Sequence, residues 1–525
     1  MRGRPRSLIF GAVALLVVLA LLGGCTSKKK TSTKPHPGGT LDVSIRDLGT
    51  LDPARASGRG ALLVVSQVFD SLTAIDGTTG LVKPAAASSW TTSADGKTWT
   101  FTLAQAKYQN GDPVRARDFK FAFDRIAQKA LRSEIAYELQ PISGYAAAQV
   151  LGKAKSLAGV SAPNDTTLVI RLDRPFYELP YSLADPGFAP IDLNVYGAST
   201  DGLKTAPVGN GPFKVVSATA ESEAVLARYD DYYGTKAYLD GIKFHVTNIS
   251  DGWSAFQSGK TDITDVPADQ VASGSGFDQQ GFTPVWATLS FGPNLRLPKY
   301  QDLNVRIAMA LAIDREKIAT DVFKSTKDAA TGLIPAGVRG YEPGGCSNCI
   351  YNPDRARALL AAKFRSGPRP SISIDYLGEP TSRSVAQSIE SDLNAVGFHA
   401  SLRAHTPDEY TKLLAKGAQD FAEYGWIQNV PSPDGFLAQQ LLTGSVNNRV
   451  GFQYGRFDAD IAAARATKDE NARLTAYAGA EKRAFGLMPI IPIVFYRNRT
   501  AVASRVNGFT LDGAGVFDAS TIWLS

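Results

Sequence analysis

The groups in this 525-residue chain that could carry catalytic or metal chemistry are 4 histidines, 3 cysteines and 50 Asp and Glu residues. There is no Gly-x-Ser-x-Gly nucleophile elbow and no His-Glu-x-x-His zinc helix. His36 stands in a Pro- and Gly-rich stretch, so a triad or metal cluster would have to draw on His245, His399 and His405. The last two bracket an alternating apolar and polar segment and read as rim residues of a strand. Gly96-Lys97-Thr98 resembles the end of a phosphate-binding loop, but Thr91 occupies the position of that motif's first glycine and the segment reads as a hairpin. Asp230 and Asp231 are the least unsuitable carboxylates for hydrolysis, yet nothing sets them at a working separation. These residues give no positive case for an enzyme, a cofactor or a metal site. An extracellular hydrolase stays open as the reading from another class.

The cysteines separate by position. Arg2, Arg4 and Arg6 precede an apolar run from Leu8 to Leu22, short for a membrane span and suited to the h-region of a signal peptide. Leu22-Gly23-Gly24-Cys25 resembles a bacterial lipobox, in which the cysteine is lipidated before cleavage. Residues 1–24 therefore read as a lipoprotein signal peptide, Cys25 as the lipidated residue and 25–39 as a flexible tether rich in Lys, Thr, Ser, Pro and Gly. The expected location is extracytoplasmic, on the outer face of the cytoplasmic membrane. In that oxidising setting a disulfide between Cys346 and Cys349 is favoured over a redox motif or half a zinc site, because no further ligands lie close in sequence.

Composition narrows the class. At 44% hydrophobic and 20% charged, the chain is neither disordered nor a polytopic membrane protein. The net charge of +6 is concentrated at the start: seven Lys and Arg and no Asp or Glu precede residue 38, and removing those seven from 56 leaves 49 against 50 acidic groups. The body has no net charge to attract phosphates, so nucleic acid is not an expected partner.

The elements that must position any site follow from periodicity. Alternation predicts strands at Leu41 to Ile45, Thr98 to Leu103, Thr167 to Leu172, Phe213 to Val216, Ala224 to Arg228 and Ile242 to Val246. Asp95-Gly96, between Trp90 and Trp99, predicts a hairpin turn. Helices are predicted from Asp118, with Phe119, Ala122, Phe123, Ile126 and Ala130 on one face, from about Leu303 to Phe323, from Asn352-Pro353, and from Phe457 to Phe485. Ile372, Ile374 and Tyr376, then Val385, Ile389, Leu393 and Val396, then Gly397 and a strand through Phe398 to Leu402 spell a βαβ unit with a parallel pair. No internal repeat is found. The fold class is α/β with more than one lobe.

Several ordered motifs then stand out: Leu51-Asp52-Pro53, Phe69-Asp70-Ser71-Leu72, Lys83-Pro84 through Trp90, Asp95-Gly96-Lys97-Thr98-Trp99, Asn110-Gly111-Asp112-Pro113-Val114, Gly209-Asn210-Gly211-Pro212-Phe213, Val305-Arg306 through Asp314-Arg315, and Tyr351-Asn352-Pro353-Asp354. In this order they resemble family 5 extracellular solute-binding proteins, the peptide and nickel binding subunits of ABC importers. The resemblance implies a periplasmic-binding-protein-like fold of two lobes and three domains, with a ligand cleft and crossing hinge strands. The implied domains are 40–58 with 181–285 and 495–525, an inserted domain 59–180, and 286–494. The implied partners are a peptide or other small-molecule ligand and ABC permease and ATPase subunits, with the protein itself a lipid-anchored monomer. An oligosaccharide is the alternative ligand; a nickel chelate is disfavoured by the few histidines. Many of the motifs read as structural, Asp314 and Arg315 as fixing a helix.

In peptide-binding relatives a Trp-x-x-Asp segment holds the peptide's α-ammonium. Here it reads Trp426-Ile427-Gln428-Asn429, so a neutral amide replaces the aspartate and a free amine is held less firmly unless Asp434 or Glu423 takes over. The resemblance adds Ser57, Gly58 and Arg59 as a cleft wall. Trp286, Phe291, Tyr424 and Trp426 supply aromatic surface, for ligand or core. Asn294 is read chiefly as a backbone hydrogen-bonding residue, and Arg383, near a helix start, as a candidate for a ligand carboxylate.

Overall fold

The computed structural model describes residues 34–271, 278–281, 283–365 and 367–525. Cys25, the signal segment and most of the tether lie outside the described residues.

Alternation produces the first strand, Thr40–Ile45, which buries Leu41, Val43 and Ile45 and leaves Asp42 and Ser44 half-buried on the other face. It pairs in parallel with Gly241–Val246 inside a seven-stranded sheet that also takes Phe213–Thr219, Glu223–Arg228, Ile263–Asp265, Asp278–Gly281 and Thr500–Val502. A four-stranded antiparallel sheet follows from Ala87–Thr92, Thr98–Leu103, Thr167–Arg171 and Val160–Asn164. Asp95-Gly96 turns its first hairpin, with Gly96 at φ 68° and the Asp95 carboxylate accepting from the Lys97 N–H at 3.1 Å. Helix Ala116–Ile126 presents Phe119, Ala122, Phe123 and Ile126 to the interior, but it ends before Ala130, which stands exposed in a separate turn at Lys129–Leu131. One apolar core joins these two sheets.

A second core surrounds a six-stranded sheet, ordered Lys327–Ala329, Ile491–Arg497, Pro284–Pro293, Phe421–Ile427, Ser371–Leu377 and His399–His405. The βαβ reading holds: Ser371–Leu377 and His399–His405 run parallel, joined by helix Pro380–Ala395 and Gly397 at φ 99°. Two long helices predicted from periodicity are each broken. The first stops at Ala312, because Ile313 is extended and Asp314 starts a new turn by accepting from the Lys317 N–H at 3.0 Å. The other divides into Gly455–Ala466 and Glu470–Phe485, with Asp469 capping the second. Both breaks fall at an aspartate whose carboxylate outcompetes helix continuation. Cys346 and Cys349 are joined in a disulfide.

The chain passes between the cores twice, from Asp278–Gly281 into Pro284–Pro293 and from Ile491–Arg497 into Thr500–Val502. Asn498 pins the two passages: its N–H donates to the Thr283 carbonyl at 2.8 Å and its side-chain amide to the Thr283 hydroxyl at 3.0 Å. Beside them Trp286 donates through its backbone to Gly513 at 2.8 Å and through its indole to the Gly337 carbonyl at 3.0 Å. A Cβ on Gly513 would lie 2.1 Å from the Trp286 indole nitrogen, so only glycine fits there.

Most of the ordered motifs prove to be internal fastenings. Asp52, 2% exposed, pairs with Arg125, whose second guanidinium nitrogen reaches it at 2.8 Å. Asn210 exchanges hydrogen bonds with the Asp70 backbone at 2.9 and 3.0 Å. Arg306 donates to the carbonyls of Tyr300 and Leu487, and Arg315 to those of Pro492 and Ala310.

Candidate ligand cleft

Between the cores lie three chambers of about 510, 700 and 270 Å³, joined through shared walls. The central chamber, of about 510 Å³, is bounded on one side by Ala56–Arg59 and on another by Ser133–Tyr137, with Gly425–Ile427, Asn429 and Asn447 opposite. Gly58 shapes the first wall: at φ 83° it caps helix Arg59–Val68, and a Cβ there would lie 2.8 Å from an Asp47 carboxylate oxygen. The opposite wall is the end of strand Phe421–Ile427. Its ladder to Ser371–Leu377 stops at Ala422, while its other edge stays paired with Pro284–Pro293 as far as Ile427. Gly425 to Ile427 thus present one strand edge with no neighbouring strand among the described residues. Two aliphatic side chains stand beside it in the open, Ile427 at 62% and Val446 at 64% exposure.

The residues singled out from sequence divide. Ser57, Gly58, Arg59, Trp426 and Asn429 line the central chamber together. Tyr424 lies behind it, in a side pocket of about 260 Å³ with Tyr410, Glu423, Trp426 and Arg449. The other five stand apart from the chamber walls. Phe291 is fully buried against Phe421, Trp286 is fixed at the crossing, and Asn294 gives its amide to the Gly417 and Gln419 carbonyls at 2.9 Å. Asp434 cannot replace the missing aspartate, since Arg465 grips it at 2.7 and 2.8 Å and the Tyr477 hydroxyl adds a bond at 2.9 Å. Arg383 is exposed and lines none of the chambers. Asp230 and Asp231 sit on an exposed turn, where Lys236 and Arg228 hold Asp230 down at about 2.

The amide of Asn429 is already engaged. It donates at 2.9 Å to Asp185, from the other core, whose carboxyl is raised by burial against the opposing pull of the Gly187 N–H and of Asn429 itself. Nearby, burial lifts Glu138 to about 7, with the Ser182 hydroxyl donating to it at 2.7 Å. Tyr137 packs against Trp426 with ring centroids 5.8 Å apart and meets Gln428 at 3.2 Å. In the smallest chamber Asp70 is raised by burial to about 6 and receives the hydroxyls of Tyr232 and Tyr233 at 2.7 Å each.

Reading the sequence missed three features of this cleft. Glu178, fully buried, takes Arg473 at 2.6 Å, Arg339 at 3.1 Å and the Ser432 hydroxyl at 2.9 Å, all from the other core. Asp185 has no local pattern beyond Asp-Pro-Gly. Lys327, in the largest chamber, is lowered to about 7 by burial and lies over the rings of Tyr496 at 3.3 Å and Phe323 at 4.1 Å. The only local hint to Lys327 is a lysine in a short segment between apolar stretches, which is no signal by itself.

Among known proteins, residues 82–448 match the family described as bacterial extracellular solute-binding proteins, family 5. The chain is similar to the dipeptide-binding protein DppE of Bacillus subtilis, 27% identical with 83% of each chain covered. It is also similar to the oligopeptide-binding protein OppA of the same organism, 24% identical over 96% of this chain and 97% of that one. The solved structure of the Escherichia coli murein tripeptide binding protein MppA superposes with a TM-score of 0.75, at 24% identity, covering 94% of this chain and 99% of that chain.

Proposed function

Because the chain belongs to the bacterial extracellular solute-binding proteins of family 5, we propose that it is the extracytoplasmic receptor of an ABC importer, which captures a peptide or similarly sized solute and hands it to the membrane permease. The observation that carries this reading is the strand edge at Gly425 to Ile427, facing Ala56–Arg59 across the central chamber. An extended peptide can add to such an edge through its own N–H and C=O groups, which gives affinity that depends little on side-chain sequence. The exposed Ile427 and Val446 offer apolar contact beside it. Peptide binding by the named relatives supports the same class of solute.

Capture follows from hinge geometry. A cleft between two separately cored bodies, joined by passages near Thr283 and Asn498, can close by small backbone rotations at those passages. Contacts such as Asn429 to Asp185 form only when the two sides meet, so they favour the closed arrangement that a permease would read. The three-domain division at 40–58 with 181–285 and 495–525, 59–180, and 286–494 is supported by the way strands gather into the three larger sheets. On the lipobox reading of Cys25 the protein is anchored by lipid, and with it goes the reading of a monomeric receptor. Among the described residues no helix is long and apolar enough to cross a membrane.

The test is differential scanning fluorimetry on protein purified without refolding, against tripeptide and tetrapeptide pools, oligosaccharides and metal chelates. A ligand-dependent rise in Tm with a peptide pool is expected. No shift with any class would overturn the receptor reading.

A further inference from the structure

The largest chamber gathers cations. Arg46, Arg59, Lys327, Arg497 and Arg499 line it against Asp47 and Asp265, and the charged heads of Lys327 and Arg499 make no hydrogen bond or ion pair among the described residues. The contact between the cores at Gln428 and Asn429 does the reverse and gathers carboxyls. These two neighbouring side chains of the second core both reach across to the first. Asn429 donates to Asp185 at 2.9 Å. Gln428 donates to the Tyr137 hydroxyl at 3.2 Å, and that hydroxyl donates in turn to Glu138. Both lines of hydrogen bonds end on a carboxyl, and neither carboxyl forms an ion pair among the described residues. Asp185, 4% exposed, is otherwise held by the Gly187 N–H at 2.8 Å, and Glu138 by the Ser182 hydroxyl at 2.7 Å.

The groups that face Glu138 from the surrounding elements disfavour its ionised form. Asp185 and Asp434 repel it. Arg465 attracts it, but that guanidinium is bound to Asp434 at 2.7 and 2.8 Å, with the Tyr477 hydroxyl on the same carboxylate. The other two arginines of the contact, Arg339 and Arg473, are taken by Glu178. The contact is also one donor short, since the carbonyl oxygen of the buried Gln428 side chain receives no hydrogen bond among the described residues. When the cleft opens, the second core withdraws Gln428, Asn429, Asp434 and Arg465, and water returns to Glu138 and Asp185. Closing brings the carboxyls together and dries them without supplying a cation, which favours the neutral form. Burial accordingly lifts Glu138 from the ordinary 4.5 to about 7 and raises Asp185 as well.

Building on the receptor reading, we propose that closing the cleft takes up a proton, held on Glu138 beside Asp185, so that the receptor grips its solute more firmly in mildly acidic surroundings than in alkaline ones. A group whose proton is held more tightly in the closed arrangement than in the open one adds to closure most where both forms are protonated, below about pH 4.5. Its contribution falls as pH rises to about 7 and is level above that.

Native mass spectrometry titrations at pH 6 and pH 8 test this with three probe pools: N-acetylated tripeptides without histidine, the same tripeptides with a free amine, and neutral oligosaccharides. The first and third do not titrate in this range; for the second, the amine's own titration is common to parent and variant and cancels in their ratio. A retained pool should bind up to about tenfold more tightly at pH 6 than at pH 8. Glu138→Gln, neutral and of the same shape, should bind at both pH values as the parent does at pH 6. Asp185→Asn removes the repulsion and keeps the acceptor for Asn429, so it should shrink the difference, and it decides the matter should Glu138→Gln fail to fold. Lys327→Met should keep the difference, which separates this contact from a lysine that titrates in the same range. Equal affinity at the two pH values, or a difference that survives Glu138→Gln unchanged, overturns the proton linkage and leaves the receptor reading intact. Retention from no pool at either pH overturns both.

Discussion

Two places between the cores bury charge, and they treat it in opposite ways. At Glu178 one carboxylate meets two guanidinium groups and a hydroxyl, and Arg339 continues to Glu470 at 2.6 Å and stacks 3.5 Å over the Tyr181 ring. Every charge there is matched by another protein group. Around Lys327 and Arg499 the cations outnumber the carboxylates and two are left over. A buried charge answered within the chain fastens structure, whereas one left unanswered in an open chamber is available to a ligand. The identity of the residues does not distinguish the cases, since arginine and carboxylate occur in both. Stoichiometry and hydrogen bonding do.

The sharpest way to break this comparison is Glu178→Ala, which strands Arg473 without its carboxylate and leaves Arg339 with Glu470 alone. Removing one partner of such a pair costs about 3–5 kcal/mol. We expect a large drop in Tm together with a larger radius of gyration by solution scattering, because all of its partners lie across the cleft. An unchanged radius would show that Glu178 stabilises without holding the sides together.

Asn429→Asp comes next. It replaces the donor to Asp185 with a second carboxylate, at a contact now 2.9 Å long. A loss of roughly 1–3 kcal/mol is expected at neutral pH, disappearing on acidification as the pair takes up a proton. A peptide with a free amine should relieve the repulsion, so it should bind the variant more tightly than the parent chain. No change in any ligand's affinity would remove Asn429 from the cleft.

The smallest effect has the opposite sign to the first. Lys327→Met, without ligand, should raise stability by about 1 kcal/mol at pH 7, since it removes a partly desolvated cation that no carboxylate answers. The gain should fade between about pH 7 and 10, where the folded parent chain has already lost that proton. A variant less stable than the parent at pH 7 would mean that the aromatic faces of Tyr496 and Phe323 outweigh desolvation.

How legible each feature was follows from the range of the interaction behind it. Strand Thr40–Ile45, the hairpin at Asp95-Gly96 and the βαβ unit from Ser371 to His405 were legible because period and turn chemistry act over a few residues. The two overlong helices failed where Asp314 and Asp469 cap new turns, a local signal that apolar periodicity hides. Of the site, the two facing walls at Ser57 to Arg59 and Trp426 to Asn429 were legible through motif order. Phe291, Trp286 and Asp434 were not separable from cleft residues, because an aromatic ring or a carboxylate reads the same whether it packs inward or outward.

By itself the sequence determined the α/β class, the neutral body behind a basic N-terminal stretch, the family and the fastening role of many of its motifs, because these rest on composition, short-range periodicity and ordered spacing. Only the tertiary structure decided which charges are answered. Glu178 and Arg473 are 295 residues apart, as Asn429 and Asp185 are 244 apart. Whether Lys327 and Arg499 find a carboxylate depends on what many distant segments bring to one chamber. Pairing of buried charge is a property of the assembled cleft, and no local pattern encodes it.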